Sequence, residues 1–137
     1  MPQFHNTINI NASPDKAWTV VGNLAAVNRW VPMLSDAKVE GTQRVCTLAD
    51  GSGHMRESIR DYSNEKRSYA YTIIEGPLPA KNYRGSFAVM PHGKGSVVVW
   101  ETDFDLLDPA QEDEVTRLFE GIYAQCLDSL KQLIEKS

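Results

Sequence analysis

Residues 96–136 limit the possible folds more than any other stretch. From Ser96 to Asp105 the even positions hold Val98, Trp100, Thr102 and Phe104, while Glu101, Asp103 and Asp105 fall between them. Side chains alternate faces along a strand, so this segment reads as a strand with one apolar and one wet face. Asp108-Pro109 follows. An aspartate N-cap and a proline at the first helical position, where the missing N–H costs nothing, mark a helix start. The helix is expected from Pro109 to Lys136, with Leu118, Phe119, Ile122, Tyr123, Cys126, Leu127 and Leu130 on one stripe. Glu112-Asp113-Glu114 then falls in its first turns, where acidic groups suit the positive end of the helix dipole. So long a stripe needs an extended apolar surface beneath it, and the preceding strands supply one.

Upstream, Phe4 to Ile10 reads as a strand with Phe4, Ile8 and Ile10 on one face. Ser13-Pro14-Asp15-Lys16 starts a short helix carrying Ala17, Trp18, Val20 and Val21, which Gly22-Asn23 interrupts. A second helical piece covers Leu24 to Asn28, and Pro32 closes the region. Trp18 and Trp30 read as packing anchors. Then come short strands over Ala37–Gly41 and Arg44–Ala49 and longer ones over His54–Tyr62, Lys66–Glu75, Asn82–Met90 and Ser96–Asp105. Turn chemistry separates them: Asp50–Gly53, Ser63–Glu65, Gly76–Pro79 and His92–Gly95. The order predicts an α+β fold in one domain over residues 1–137, an antiparallel sheet with its helices packed on one face.

In an antiparallel meander every second connection lies at the same end of the sheet. The Asp50–Gly53 and Glu75–Lys81 connections therefore share one end, and those at Ser63–Glu65 and His92–Gly95 share the other. The first pair is looser and includes the apolar Leu78. Loose, partly apolar loops at one end predict a mouth.

Taking the more apolar parity as inward places Met55, Glu57, Ile59 and Asp61 on one strand and Tyr69, Tyr71 and Ile73 on the next. Tyr83, Gly85, Phe87 and Val89 follow, then Val98, Trp100, Thr102 and Phe104. Two features set this face apart from an ordinary core. Tyr69, Tyr71, Tyr83, Trp100 and, from the helix, Tyr123 bring polar atoms that need partners when buried. Glu57 is an acid among Met and Ile, and a buried carboxylate costs several kcal/mol unless paired or hydrated. A carboxyl alone in a dry pocket would have a raised pKa suited to proton transfer, which makes Glu57 the candidate catalytic group. Gly85 in mid-strand lets the sheet bend or leaves room.

Several classes of function find no support. Net charge is −4 with no basic cluster, which argues against nucleic acid. No run approaches a membrane span. His5, His54 and His92 are far apart, the last two at or beside turns, and no metal-ligand spacing occurs. There is no phosphate-binding glycine loop and no Gly-x-Ser-x-Gly elbow, and no cofactor is expected. Cys46 and Cys126 sit in apolar patterns, and Met1-Pro2-Gln3-Phe4-His5 lacks the basic-then-apolar pattern of a secretory leader. A reduced, cytoplasmic setting is expected.

The ordered set Ile10-x-Ala12-Ser13-Pro14-x-x-Ala17-Trp18, Trp30-x-Pro32, Gly41, Arg56-Glu57, Asp61, Arg67-x-Tyr69-x-Tyr71-x-Ile73, Asn82-Tyr83, Val97-Val98-Val99-Trp100 and Asp108-Pro109 resembles the START-like helix-grip superfamily. That group includes polyketide cyclase/dehydrase and lipid transport proteins, pollen-allergen-type carriers and abscisic-acid receptors. The resemblance covers essentially the whole chain. It implies a curved antiparallel sheet of about seven strands, two short helices and a long C-terminal helix over a cavity for an apolar ligand. It also implies that Glu57, Tyr71 and Tyr83 line that cavity, that Phe119 and Tyr123 face it, and that the two loose loops act as gate and latch. In place of the receptors' Leu-Pro pair the gate has Ser52-Gly53, and Thr47 lies near where a basic pocket residue is expected.

With the inward face, this predicts a site of Glu57, Ile59, Tyr69, Tyr71, Tyr83, Gly85, Phe87, Trp100, Phe119 and Tyr123. The partner would be a small hydrophobic or aromatic molecule held by a carrier or sensor. The alternative is a cyclase/dehydratase-like enzyme using Glu57 in acid–base catalysis.

Overall fold

The computed structural model describes residues 2–136; Met1 and Ser137 lie outside the described residues. Seven strands form one antiparallel sheet: β1 (Gln3–Ile10), β2 (Leu34–Glu40), β3 (Gln43–Leu48), β4 (His54–Ser63), β5 (Ser68–Glu75), β6 (Ala80–His92) and β7 (Gly95–Leu106). Their spatial order is β1-β7-β6-β5-β4-β3-β2, so the meander from β2 to β7 is closed by β1 pairing with β7. Helix α1 (Pro14–Val21) and a 3₁₀ helix (Leu24–Arg29) connect β1 to β2. Helix α2 (Glu112–Glu135) ends the chain, after a 3₁₀ turn over Pro109–Gln111. The predicted order of elements is the observed one. Among the described residues no helix is long and apolar enough to cross a membrane.

Local chemistry sets the helix ends. Ser13 accepts a bond from the Lys16 N–H and Pro14 opens α1. Asp108 accepts from the Ala110 N–H, and Pro109 enters a 3₁₀ turn before α2 proper begins at Glu112. The buried stripe of α2 is Val115, Phe119, Tyr123, Cys126, Leu127, Leu130 and Ile134. Leu118 does not belong to it and stands 50% exposed. At about 100° per residue, Leu118 lies a quarter-turn off the line through Val115 and Phe119.

The predicted alternation holds along β5, β6 and β7, where Tyr69, Tyr71, Tyr83, Phe87, Val89, Val98, Trp100, Thr102 and Phe104 are buried. On β4 it fails after Ile59. The register shifts between Arg60 and Ser63, and Asp61 has φ +53°. This bulge turns Asp61 to solvent and brings Tyr62 to the inner side, where its ring lies 5.5 Å from Trp18 and 6.2 Å from Tyr69.

Trp18 anchors the end of the sheet opposite the loose loops. Its indole donates to Asn64 at 2.8 Å, and the Tyr62 hydroxyl donates to the Gly22 carbonyl at 2.7 Å. Gly22 has φ −81°, open to any residue, but a Cβ there would lie 2.6 Å from Trp18 Cε2. The indole cannot yield without losing Asn64. Gly22→Ala is therefore expected to destabilise the fold by about 1–3 kcal/mol through overpacking, read from the urea midpoint at unchanged m. An unchanged midpoint would refute this contact.

Candidate functional site

The inner face of the sheet and the buried stripe of α2 meet around an aromatic cluster. Phe87 and Trp100 stack at 4.7 Å, Trp100 meets Tyr123 edge-on at 4.7 Å, and Tyr83 stacks on Phe104 at 5.5 Å. The polar atoms of these rings bond one another. The Trp100 indole donates to the Tyr71 hydroxyl at 3.0 Å, Thr102 donates to the Tyr123 hydroxyl at 2.9 Å, and the Tyr83 and Tyr123 hydroxyls bond each other at 2.7 Å. Burial pushes Tyr71 and Tyr83 well above the ordinary tyrosine range, and Tyr123 up to about 12. All three stay neutral donors and acceptors.

A cavity of about 100 Å³ remains between sheet and helix. Its walls include Tyr71 and Ile73 from β5, Tyr83 and Phe87 from β6, Trp100 from β7, and Phe119, Ile122, Tyr123 and Cys126 from α2. Val27, Trp30, Val31 and Met33 close it from the segment before β2, and Leu34 from the first position of β2. Met55, Leu48 and Leu78 sit at the end where the loose loops lie, and all three are half-buried. Of the two loose connections, Glu75–Lys81 reaches the cavity through Leu78. Asp50–Gly53 do not reach the cavity; Val31 and Met33 stand in that role.

The cavity holds a buried ion pair. Arg44 on β3 lies directly across from Glu57 on β4, and its Nε donates to Glu57 Oε1 at 2.7 Å. The two residues are 2% and 3% exposed. One terminal nitrogen of Arg44 also donates to the Tyr69 hydroxyl at 3.3 Å and to the Leu24 carbonyl at 3.4 Å. The guanidinium carbon lies 5.6 Å and 5.9 Å from the Tyr69 and Tyr71 ring centres. Burial alone would lower the Arg44 pKa, but Tyr69 and Glu57 outweigh it and the net shift is upward. The Cys46 thiol also donates to Glu57 Oε1, at 3.6 Å.

This pair corrects the reading of Glu57 as a lone acid. A guanidinium at hydrogen-bond distance removes the premise of an unpaired carboxyl in a dry pocket. The basic residue of the cavity is Arg44, not Thr47. Thr47 is one step off the inward parity of Arg44 and Cys46, and only half-buried.

Of the ten predicted site residues, Glu57, Tyr71, Tyr83, Phe87, Trp100, Phe119 and Tyr123 line the cavity. Ile59, Tyr69 and Gly85 do not. Ile59 is half-buried on the bulge side of Glu57. Tyr69 is held away by Arg44 and by its stack with Tyr62. Gly85 leaves no space, because a Cβ on it would lie 2.4 Å from Tyr71 Cζ; the tyrosine ring covers it. Among the described residues no three His, Cys, Asp or Glu side chains come together as a metal-ligand set.

Burial pushes both thiols up, Cys46 and Cys126 each from 9.0 to about 12, and Tyr123 from 10.0 to about 12. For groups that prefer the neutral form when folded, the stability contributed is whole below the unfolded pKa and is lost as pH rises through the folded one. Stability is therefore expected to fall between about pH 9 and about pH 12 on account of these groups. Urea midpoints across that range, followed with tyrosinate absorbance, check this. A midpoint that holds while most tyrosines ionise would contradict the burial of these groups.

A family model described as "Polyketide cyclase / dehydrase and lipid transport" matches residues 1–135. MLP-like protein 423 of Arabidopsis thaliana is 24% identical over 118 residues, covering 74% of this chain and 75% of the plant protein. The structure of XoxI from Bacillus cereus superposes with a TM-score of 0.88 at 27% identity, covering 98% of this chain and 96% of that one. A START superfamily protein from Mycobacterium smegmatis shares the fold with a TM-score of 0.83 at 14% identity, over 98% and 97% of the two chains. With the match spanning nearly every residue and a curved seven-stranded sheet gripping the last helix, the chain belongs to the polyketide cyclase/dehydrase and lipid transport family and has its START-type helix-grip fold.

Proposed function

We propose that this protein binds a small apolar or aromatic molecule between the sheet and α2, as a carrier or sensor. The observation that carries the reading is the cavity itself, walled by aromatic and aliphatic side chains with one charged pair among them. At about 100 Å³ the space is smaller than the roughly 150 Å³ apolar cavity that accepts benzene, so even a single ring needs neighbouring side chains to give way. Larger ligands would have to displace the half-buried Met33, Met55 and Leu78 near the mouth. Unbranched methionines yield at low cost.

An enzymatic reading is supported by the family description, which names cyclases and dehydrases. It weighs less, because Glu57 Oε1 is engaged by Arg44 and Cys46 and the tyrosines are held neutral. A thermal-shift screen of lipids, flavonoids and small aromatics, with native mass spectrometry of the purified protein, tests the binding reading. A stabilising hit or a bound species supports it, and the absence of both would refute it. Loss of turnover in Glu57→Gln, on a substrate found by the same screen, would move the assignment to an enzyme.

A further inference from the structure

Arg44 and Glu57 both line the cavity, and the bond between them leaves each with an unused atom. In the exposed pairs Arg67–Asp15 and Arg84–Asp103, Nε and Nη2 donate together to the carboxylate. Arg44 reaches Glu57 through Nε alone, at Oε1, which also takes the Cys46 thiol. Its Nη1 serves the Tyr69 hydroxyl and the Leu24 carbonyl. Arg44 Nη2 and Glu57 Oε2 are left with no hydrogen bond among the described residues. The unpartnered side-chain atoms that are fully enclosed are Asn6 Nδ2 and Trp30 Nε1. Nη2 and Oε2 are not among them, so each keeps surface that a further partner can reach. The two residues are only 2% and 3% exposed, and the open space against both is the cavity. A buried ionised donor and a buried ionised acceptor, each with an unmatched atom, are costly to leave so.

We infer that the cavity selects an aromatic molecule whose polar group both donates and accepts, a phenolic hydroxyl or a primary carboxamide, seated on the Arg44–Glu57 pair. The group accepts from Arg44 Nη2 and donates to Glu57 Oε2. The inference rests on the binding reading above and names the polar group of its ligand. The ring of that ligand lies against Tyr71, Phe87, Trp100 and Phe119. A group that only accepts leaves Glu57 Oε2 without a donor, and a carboxylate also sets a like charge beside it. A group that only donates leaves Arg44 Nη2 unmet. A site with buried polar atoms to satisfy rejects analogues lacking the matching groups more strongly than an apolar pocket can.

The test uses the full chain and two pairs of probes matched in shape: phenol against toluene, and benzamide against benzoate. Affinities are measured by calorimetry or ligand-observed NMR. In an apolar cavity an unpaired hydroxyl would weaken phenol about tenfold relative to toluene; here phenol should bind at least as tightly. Benzamide should bind about tenfold tighter than benzoate, the worth of one hydrogen bond to a charged group. In the double variant Arg44→Met/Glu57→Met, which leaves neither charge buried alone, the phenol-to-toluene affinity ratio should fall about tenfold. In wild-type protein the Arg44 guanidinium resonances should shift more with phenol than with toluene. The wild-type measurements still decide the matter if the double variant misfolds. Toluene binding more tightly than phenol, or a ratio unchanged in the double variant, would overturn the inference and leave the binding reading standing. Benzoate binding at least as tightly as benzamide would overturn it as well. Binding of none of the four probes would overturn both the inference and the binding reading.

Discussion

Arg44→Ala is expected to cost about 3–5 kcal/mol of folding stability, the largest effect of any single side-chain truncation in the site. The reason is asymmetry. With Arg44 gone, Glu57 stays buried at the centre of the sheet without the guanidinium that sits 2.7 Å from it. The Tyr69 hydroxyl and the Leu24 carbonyl lose a donor as well. Removing both charges is a different matter, since well-packed apolar residues often replace a buried ion pair at little cost. Arg44→Met combined with Glu57→Met should therefore recover most of what Arg44→Ala loses, and a double-mutant cycle should return a coupling of several kcal/mol. Urea denaturation of the wild type, the singles and the double reads this directly. Single variants that each cost less than about 1 kcal/mol, the level of an exposed pair, would refute the buried pair.

Gly85→Leu should be the second largest, at about 3 kcal/mol, the upper part of the range for overpacking. A Cβ at this position would meet Tyr71 Cζ at 2.4 Å and its hydroxyl oxygen at 2.5 Å. Tyr71 cannot retreat freely, because its hydroxyl accepts from Trp100 and its ring stacks on Phe87 at 6.0 Å. Yielding would send the ring toward the cavity that it lines, so stability and ligand affinity should fall together. The same backbone position read from sequence alone suggested room for a ligand, in which case affinity would fall and stability would hold. Thermal denaturation of Gly85→Leu separates the two: an unchanged melting temperature would show that Tyr71 does not occupy the space.

Most of the architecture is legible in the sequence because its signals are local and repeated. Alternation from Val98 to Phe104, the Ser13-Pro14 and Asp108-Pro109 starts and the glycine-bearing turns each follow from chemistry within a few residues. The errors arise where a distant partner decides. Asp61 leaves the inner face because of a bulge, which no alternation predicts. Leu118 has the right residue type and the wrong angle. Gly85 looks empty until the neighbouring strand lays Tyr71 over it. Arg44 is the informative omission. Along β3 both parities hold apolar residues, Val45 against Cys46 and Leu48, so alternation does not say which way Arg44 faces. The β3–β4 register carries the answer, because setting Arg44 opposite Glu57 joins opposite charges across the strands. Testing candidate registers for charge pairing would have found the partner of Glu57. The orphaned donor of Trp30 has no sequence signal, because a missing contact is visible only once every neighbour is placed.

The space between sheet and α2 is expected to admit an apolar molecule. The most direct measurement is a set of filtered intermolecular NOEs between toluene and isotope-labelled protein. Contacts are expected from the toluene methyl and ring to Phe87, Trp100 and Phe119, which face the cavity from two strands and the helix. Contacts confined to exposed residues such as Leu107 or Leu118, or no contacts at millimolar toluene, would show that the closing helix seals the interior.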